Sequence, residues 1–464
     1  MMRNSFIALI TIVFVLFVCL LNAPINQNGG DILEYYGITQ SLMSHGGIDL
    51  NVADRHELSR EFGTGLLEDP QYYLSSPNGG EYPVHFIAYS LLLFPVRLVL
   101  SAFGLPLRLM FGFTNLMLLS GVVWFIMRHI LHDERKRWLL LVLVFASPLI
   151  TFLMWPGADI YGVSLILLAL FLLAAKHDDT AVMAAALASW QSQPLTMVAA
   201  GFALIAVIDR IQTKRHFWDI ALGSSFVLVP TLYSLAIFNA TSPWLLFEGK
   251  HEVTILNITA QKGIELLLDL NIGLIWYAPL ISLAGLGMVV YSAAKKQWRM
   301  GVLLLTMIAT ALVYETNSNW HNGTAGYGPS RYALFMLPFA IWALVSYPFS
   351  TKIIIGLALL IVGTQAIALY PNRYVYPRFA NTLEHSPQAR FVLDRWPGVY
   401  NPTPEIFVER TLHAEPDRAS SAVYMKDISC AKGFILQTDW ERTQRICNSV
   451  ISTSPEISGS YVTF

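Results

Sequence analysis

Gly29-Gly30-Asp31-Ile32-Leu33-Glu34-Tyr35-Tyr36 follows the first long apolar run of the chain, residues 6–21. The stretch contains the first two carboxylates of the chain, Asp31 and Glu34. Apolar residues continue at helical spacing as far as Leu42, so this stretch predicts an amphipathic helix with Asp31 near its N-cap. Asp31 and Glu34 then lie in the water layer just beyond a membrane-spanning segment. A purely structural role, with Asp31 as cap and Glu34 as capping-box partner, explains the same residues equally well.

The composition is typical of a protein with many membrane-spanning segments. Of the 464 residues, 55% are hydrophobic and 13% are charged, and the mean hydropathy is +0.51. These values lie far from those of soluble domains. The formal net charge of -1 provides no basic surface, and no nucleic-acid-binding motif is present, so no nucleic-acid partner is expected.

Lys and Arg in the short loops predict the orientation of the spans, because they stay on the inner side of a membrane. Residues 84–103 are apolar but contain Pro95 and Arg97. If they crossed, the basic cluster at 132–137 would lie outside, so we expect an interfacial or re-entrant outer helix there. About eleven spans then start from an inner N-terminus. They are residues 6–21, 108–128, 138–154, 160–175, 180–190, 195–208, 217–238, 272–294, 300–314, 332–347 and 353–369, and the segment 180–190 is too short to cross unaided.

The chain divides into two expected domains. Residues 1–370 form an all-α transmembrane module, in which residues 22–107 make an outer segment with interfacial helices. Residues 371–464 return to proline-rich, charged sequence and predict a small extracytoplasmic domain, α/β or irregular. Cys430 and Cys447 enclose a short loop, so we expect a disulfide in an oxidising compartment, with two free thiols as the alternative.

Carboxylates at the mouths of spans are candidates for chemistry, because a charge there is costly unless it faces water or a site. On this topology Asp31, Glu34 and Asp159 all lie at the outer face, and we expect them to be catalytic. As a structural alternative, Asp159 only caps the helix that it begins. No HExxH, CxxC or P-loop motif occurs, but Asp31 and Asp159 would share a divalent metal ion if their loops meet.

The loop at residues 317–332 offers candidates for substrate binding, since it combines glycines, aromatic rings and one arginine just before a span. Glycines allow close backbone approach to a ligand, aromatic rings stack on sugars, and a guanidinium suits a phosphate. The candidates are Trp320, His321, Tyr327, Arg331 and Tyr332, joined by His85 from the glycine-rich approach to residues 84–103. A snorkelling arginine and a structural histidine are the alternatives.

Several short motifs resemble those of the GT-C integral-membrane glycosyltransferases, the class of the protein mannosyltransferases and the lipid A aminoarabinose transferase. They are the acid that opens a tyrosine-bearing helix at Asp31, the pair Tyr82-Pro83 before the interfacial helix, and the Trp-x-x-Gly…Gly-x-x-Arg-Tyr loop that ends at Arg331-Tyr332. The resemblance is at the level of the class and covers roughly residues 1–370. Where the aminoarabinose transferase has Lys-Pro-Pro, this chain has Tyr82-Pro83-Val84-His85, and Gln193-Pro194 stands where many relatives have Lys-Pro.

The resemblance implies a GT-C-like fold and a sugar donor carried on a polyprenyl phosphate. It implies that Asp31 acts as the base or as a metal-linked acid, that Asp159 matches a second acidic position, and that the anomeric configuration is inverted. The acceptor would be a glycan, a lipid or a protein, and the active site would face the periplasm or exterior of a bacterial inner membrane, where membrane lipid surrounds it. Arg331 would bind the departing phosphate.

Two other functions are compatible with this composition. A lipid-linked polysaccharide polymerase or ligase of the O-antigen type acts at the same membrane face, but relies on outer-loop Arg and His rather than on an acid near the first span. A transporter or flippase of a lipid-linked glycan would need charged residues in the middle of its spans. Such residues are rare in this sequence, and its polar residues gather in the outer loops.

Overall fold

The structure, a computed structural model, describes residues 3–22, 31–62, 73–77, 79–214, 216–246, 252–321, 323, 327–370, 383–414, 420–426, 429–447 and 459–464. Gly29 and Gly30 of the stretch that precedes Asp31 lie outside these ranges. The protein is mostly helical, at 69%. In residues 1–370 the helices are α1 (Arg3–Leu21), α2 (Ile32–Ser44), α3 (Val52–Phe62), α4 (Ala88–Ala102), α5 (Leu109–Phe125), α6 (Glu134–Phe145), α7 (Asp159–Ala174), α8 (Asp178–Ala188), α9 (Thr196–Thr213), α10 (Trp218–Ser225), α11 (Leu228–Phe238), α12 (Ala260–Leu268), α13 (Leu274–Tyr277), α14 (Gly287–Ala294), α15 (Trp298–Glu315), α16 (Met336–Ser346) and α17 (Thr351–Leu369).

Within the described ranges, six helical segments are long and apolar enough to cross a membrane. They are Asn4–Leu21, Leu109–Ile130, Gln193–Thr213, Trp218–Leu246, Trp298–Glu315 and Thr351–Leu369. This supports a membrane protein, whereas the predicted count of about eleven spans is not confirmed. Four shorter apolar helices, Ala88–Ala102, Asp159–Ala174, Ile281–Ala294 and Arg331–Ser346, accompany them.

Several predicted spans are shorter because local sequence interrupts the helix. The segment predicted at 138–154 becomes α6, which ends at Phe145, and a short 3-10 turn from Pro148 to Ile150. Proline disfavours helical backbone in the residue before it, which explains the break. The segment predicted at 180–190 becomes α8, only 11 residues long.

Helix α7 is the centre of the membrane part. It packs against α5, α8 and α16, and residues on several of its faces, including Ile160, Ile166, Leu167 and Leu170, are fully buried. A helix that is apolar all round is buried on all sides. The packing therefore fixes the position of Asp159, the residue with which α7 begins.

Several basic residues that the sequence predicts on the inner side lie together at the end of the bundle opposite to Asp159. There the backbone N–H of Ser5 donates to Glu134 at 3.0 Å, and Arg137, fully buried, donates to the carbonyl of Leu131 at 2.9 Å. Lys176, beyond the far end of α7, lies 3.8 Å from Asp209. Which end faces the cytoplasm stays a prediction from the positive-inside rule.

In the outer segment, α4 packs on α2 and α5. The two short antiparallel strands β1 (Tyr73–Ser75) and β2 (Glu81–Pro83) precede it. The guanidinium of Arg97, in α4, is buried beneath α2, where it donates to the carbonyl of Tyr36 at 2.9 Å and to Thr39 at 2.7 Å. This contact locks α4 to α2. The 15 residues of α4 rise roughly 22 Å, less than the ~30 Å thickness of a bilayer core.

The C-terminal domain is α/β. It comprises α18 (Pro387–Arg395), α19 (Pro404–Leu412), α20 (Trp440–Cys447) and an antiparallel sheet in the order β3 (Ala422–Lys426), β4 (Ser429–Ile435), β5 (Ser460–Thr463). Leu393, Phe407 and Phe434 form its core with their neighbours. In the structure Cys430 is bonded to Cys447, which ties β4 to α20.

Polar contacts dock this domain onto the loop that follows α12. The hydroxyl of Tyr400 donates to the Asp269 carboxylate at 2.6 Å, and the Asn271 side chain donates to the same hydroxyl at 2.7 Å. The backbone N–H of Thr403 donates to Glu265 at 2.7 Å. The docking is built from buried hydrogen bonds, so unpairing any one of these groups is costly.

Candidate functional site

A cavity of about 270 Å³ opens between the outer segment, the start of α7 and the loop before α16. Asp31, His85, Asp159, Arg331 and Tyr332 all line it. They come from segments far apart in the chain, and each had been predicted from the sequence to belong to a site. The volume is near the lower end of the range for small-molecule sites, about 300–1,000 Å³.

Arg331 and Asp31 form an ion pair inside this cavity. Nη1 of Arg331 donates to Oδ2 of Asp31 at 2.9 Å, and Nη2 donates to the Tyr332 hydroxyl at 2.8 Å. The side chains are only 15% and 6% exposed, so both charges are largely removed from water. In this setting the attraction between opposite charges is strong, and losing either partner is costly.

Gly323 makes room for the arginine. Its φ of +78° lies in the region that favours glycine, and a Cβ atom there would be 2.6 Å from Cδ of Arg331. Its carbonyl accepts the backbone N–H of Arg331 at 2.9 Å. The glycine predicted to permit close approach to a ligand therefore permits close approach of Arg331 itself.

Glu34 lies behind the cavity and holds His85. Its carboxylate accepts the backbone N–H of His85 at 2.6 Å and also bonds Nδ1 of the His85 ring. Nε2 of His85 lies 3.9 Å from Oδ2 of Asp31. Glu34 is fully buried and does not line the cavity, so it contacts the site through His85 and not directly.

The electrostatics of this pair follow from its burial. Burial raises the pKa of Glu34, against the opposing effect of His85. Burial alone would lower the pKa of His85, but the carboxylates of Glu34 and Asp31 outweigh it and raise that pKa above its usual value. The carboxylate of Glu34 therefore favours the protonated form of His85.

The β1–β2 hairpin brings His85 to Glu34. The hydroxyl of Tyr73, in β1, donates to the carbonyl of Glu34 at 3.0 Å, and His85 follows two residues after β2. Gly37 has no side chain, and the Tyr73 hydroxyl occupies the space where a Cβ would lie. The close packing of hairpin on helix therefore depends on a glycine at this position.

Asp159 faces the cavity from the N-terminal end of α7. The indole of Trp155 interacts with the Asp159 carboxylate as a donor, although its nitrogen and the buried Oδ2 atom do not have full hydrogen-bond geometry. A Cβ at Gly157 would lie 2.6 Å from that nitrogen and 2.9 Å from Oδ2. The carboxylate also interacts electrostatically with Arg331 and Asp31, so the three charges form one cluster.

An aromatic wall, which the sequence did not reveal, completes the cavity. Trp244 packs edge-on against His85, with ring centroids 5.0 Å apart, and Phe86 packs in the same way against Trp190 and Tyr233. Polar side chains of Gln191, Ser192 and Gln193 lie between them. Trp190 and Gln191 had been assigned only to a short span and its outer loop, and Trp244 to a long outer loop.

Trp320, His321 and Tyr327 do not reach the cavity, which corrects their predicted role in stacking on or binding a sugar. Trp320 is fully buried, His321 pairs with Glu409 of α19 at 3.2 Å, and the hydroxyl of Tyr327 bonds Glu384 at 2.7 Å. The first part of the 317–332 loop therefore faces the C-terminal domain, and only its end faces the cavity.

The predicted metal ion receives no support from the donor set. Asp31 and Asp159 do meet at one cavity, but the guanidinium of Arg331 already bonds Asp31. Within the described ranges, no group of three or more His, Cys, Asp or Glu side chains is arranged to hold a metal. The guanidinium of Arg331 balances the negative charge of Asp31 and Asp159, and no step of the proposed reaction depends on a metal.

Comparison with known proteins adds no family to this description. No protein-family model, curated protein or solved structure matches the chain. Because one fold hosts many functions, function has to be argued from the site. The resemblance to the GT-C enzymes consequently rests on the sequence motifs alone, and the function is argued from the charges and rings that line the cavity.

Proposed function

We propose that this protein is an inverting membrane glycosyltransferase, which moves a sugar from a polyprenyl-phosphate donor to a glycan, lipid or protein acceptor. The reaction would take place at the outer face of a bacterial inner membrane. The observation that carries the proposal is the convergence of Asp31, Asp159 and Arg331 on one cavity. This reaction needs a cation for the departing phosphate and a carboxylate for the attacking hydroxyl.

Arg331 is the proposed phosphate ligand. A guanidinium donates two parallel hydrogen bonds to a phosphate, and the donor phosphodiester offers two unesterified oxygens to accept them. The phosphate gains a second negative charge as the bond to the sugar breaks, so Arg331 stabilises it most in the transition state. When the donor phosphate binds, the bond from Nη1 to Asp31 is exchanged for bonds to the phosphate. Tyr332, which accepts from Nη2, remains a partner of the guanidinium while Nη1 turns from Asp31 to the phosphate.

Asp31 is the proposed base. Once separated from Arg331 its carboxylate can accept the proton of the attacking hydroxyl, and it stands beside the position of the phosphate, near the anomeric carbon. The acceptor hydroxyl attacks that carbon as the bond to phosphate breaks, and its proton goes to Asp31. Binding of the donor thus activates the base, which couples donor binding to chemistry.

The remaining walls suit a sugar ring. Trp244 and its aromatic neighbours offer flat apolar faces to the C–H groups of a sugar. Asp159 presents a carboxylate to the cavity beside the indole of Trp155. A carboxylate there would accept a hydrogen bond from a sugar hydroxyl.

The acids lie at helix ends and not in the middle of spans. Asp31 directly precedes α2, and Asp159 is the first residue of α7. A transport pathway would place its charges near the membrane midplane. This placement favours chemistry at the membrane surface over transport.

The experiment uses the purified full-length protein in detergent with host membranes as the source of acceptor. It receives polyprenyl-phosphate mannose, glucose, galactose, N-acetylglucosamine or aminoarabinose, each radiolabelled in the sugar. We expect label transfer and release of polyprenyl phosphate from at least one donor, and loss of both in Arg331→Ala. A parallel reaction receives polyprenyl-diphosphate oligosaccharides instead. Consumption of these donors alone would indicate a polymerase or ligase, and consumption of no donor in either reaction would contradict the proposal.

A further inference from the structure

We propose that His85, positioned by Glu34, relays the transferred proton away from Asp31. This inference rests on the proposed glycosyl transfer. It gives a role to Glu34 and His85, which have none in that proposal. Glu34 is a positioning residue here, because it contacts the site only through the histidine. The juxtaposition of Glu34, His85 and Asp31 in a single line of polar atoms carries the inference.

The line begins at Glu34. Its carboxylate is bound twice to His85, at the backbone N–H and at Nδ1 of the ring. The two bonds fix both the main chain and the orientation of the imidazole. A proton lies between Nδ1 and Glu34 in this arrangement, so Nε2 is the nitrogen that remains to exchange protons.

The line ends at Asp31. Nε2 of His85 lies 3.9 Å from Oδ2 of Asp31, the same oxygen that Arg331 bonds. At that distance a small movement of Asp31 completes the hydrogen bond. Such a movement is expected when the donor phosphate draws Arg331 away, because Oδ2 then loses its partner on the other side.

The protons balance along this line. In the transfer step the O–H bond of the acceptor breaks and the acceptor oxygen bonds to the anomeric carbon. The bond between the anomeric carbon and the phosphate oxygen breaks, and its electron pair leaves with the polyprenyl phosphate. The proton is taken by Oδ2 of Asp31. It then passes to Nε2 of neutral His85, which restores the carboxylate and leaves an imidazolium stabilised by Glu34.

The charges around the ring favour this transfer. In the described part of the chain, the titratable groups facing His85 include Glu34 and Tyr35 from α2, Asp31 at the start of that helix, and Arg331 beyond Asp31. The two carboxylates raise the pKa of His85, whereas Arg331 lowers it. Moving Arg331 onto a phosphate weakens its effect on the ring, so the histidine becomes a better proton acceptor when the donor is bound.

The proposal predicts a distinctive pH profile. Only neutral His85 accepts a proton, so the rate should fall on the acid side as the ring becomes protonated. Removing the charge of Glu34 lowers the pKa of His85. The acid limb of the rate profile should therefore move to lower pH in Glu34→Gln, an effect that a merely structural role would not produce.

The first measurement is an NMR titration of intact protein labelled with ¹⁵N-histidine, in which the signal lost in His85→Gln identifies His85. We expect its midpoint to fall in Glu34→Gln. His45 provides a matched control, because it pairs with Asp54 at 3.0 Å in the same outer segment but does not line the cavity. An unchanged His85 midpoint in Glu34→Gln would overturn the pairing.

The second measurement is the pH dependence of sugar transfer, using whichever polyprenyl-phosphate sugar the parent consumes. We expect His85→Gln to slow transfer about tenfold or more and Glu34→Gln to move the acid limb to lower pH, with His45→Gln matching the parent. If the parent transfers sugar but the acid limb of Glu34→Gln stays at the pH of the parent's limb, the relay is overturned. The transferase proposal would still stand. A parent that consumes no donor would overturn both proposals, whatever the NMR titration shows.

Discussion

Arg331 and Asp31, 300 positions apart in the sequence, meet with Nη1 of the arginine 2.9 Å from Oδ2 of the aspartate. The pair joins the loop before α16 to the start of α2 and closes one side of the cavity. Both side chains are largely buried, so removing either partner is costly. We expect a competing anion to displace Asp31 from Arg331.

The first prediction is that Arg331→Ala weakens the binding of polyprenyl phosphate, the proposed product, about tenfold or more. Charge-assisted hydrogen bonds contribute about 1.5–3 kcal/mol each, and 1.4 kcal/mol corresponds to a factor of ten. Lys should restore part of the affinity, since it keeps the charge but not the paired geometry. The measurement is the dissociation constant of undecaprenyl phosphate for each detergent-purified variant at equilibrium.

Arg390→Ala is the control, because Arg390 is also an arginine of the outer part but is exposed and contacts Tyr327. It should bind undecaprenyl phosphate as the parent does. Equal affinity of Arg331→Ala and the parent would remove Arg331 from the phosphate site.

The second prediction concerns Gly323→Ala. The new methyl group would lie 2.6 Å from Cδ of Arg331, so the arginine must shift and undecaprenyl phosphate should bind more weakly, as in Arg331→Ala. Gly46→Ala is the matched control, since Gly46 has a similar φ of +72° but open space around it. It carries the backbone strain of about 1 kcal/mol without the collision. Similar affinities of the two variants would show that contact with Arg331 is unimportant.

The third prediction is that docking of the C-terminal domain weakens as the pH rises. Burial, with a smaller effect of Asp269, raises the pKa of Glu265 to about 7. A carboxyl group with a raised pKa stabilises the folded state fully below its usual pKa of about 4.3, and this contribution disappears as the pH rises through 7. The thermal unfolding midpoint should consequently fall between pH 5.5 and 8.5.

Glu265→Gln mimics the protonated form and should flatten this dependence. Glu405→Gln serves as the control, because Glu405 belongs to the same interface, where it pairs with Lys262 at 3.2 Å, but its side chain is 38% exposed. It should retain the slope of the parent. A slope unaltered by Glu265→Gln would show that another group controls the docking.

Much of the site could be predicted because its residues stand out from apolar surroundings. Asp31, Asp159 and Arg331 are charges at the ends of apolar segments, which is costly without a function or a partner. That argument identifies residues but not their pairing. The ion pair of Asp31 with Arg331 depends on how α2 and the loop before α16 pack together, which no local pattern contains.

The errors have equally physical origins. Trp320 and Tyr327 have the chemistry of sugar-binding residues, but Trp320 is fully buried beside Lys262 of α12 and Tyr327 bonds Glu384. The contact of Glu34 with His85 depends on the register of the β1–β2 hairpin, and register is set by turn geometry and pairing rather than by composition. Trp244 follows an apolar helix, where a tryptophan has no distinctive signal.

The most direct test of the account is the rate of sugar transfer by Asp31→Asn at saturating donor, compared with Asp49→Asn from the same outer segment, which does not line the cavity. Asparagine keeps the size of the side chain but cannot act as the base, so transfer should fall by about two orders of magnitude or more, while Asp49→Asn matches the parent. Thermal unfolding of both variants verifies that they are folded. Transfer at the parental rate by folded Asp31→Asn would contradict the account.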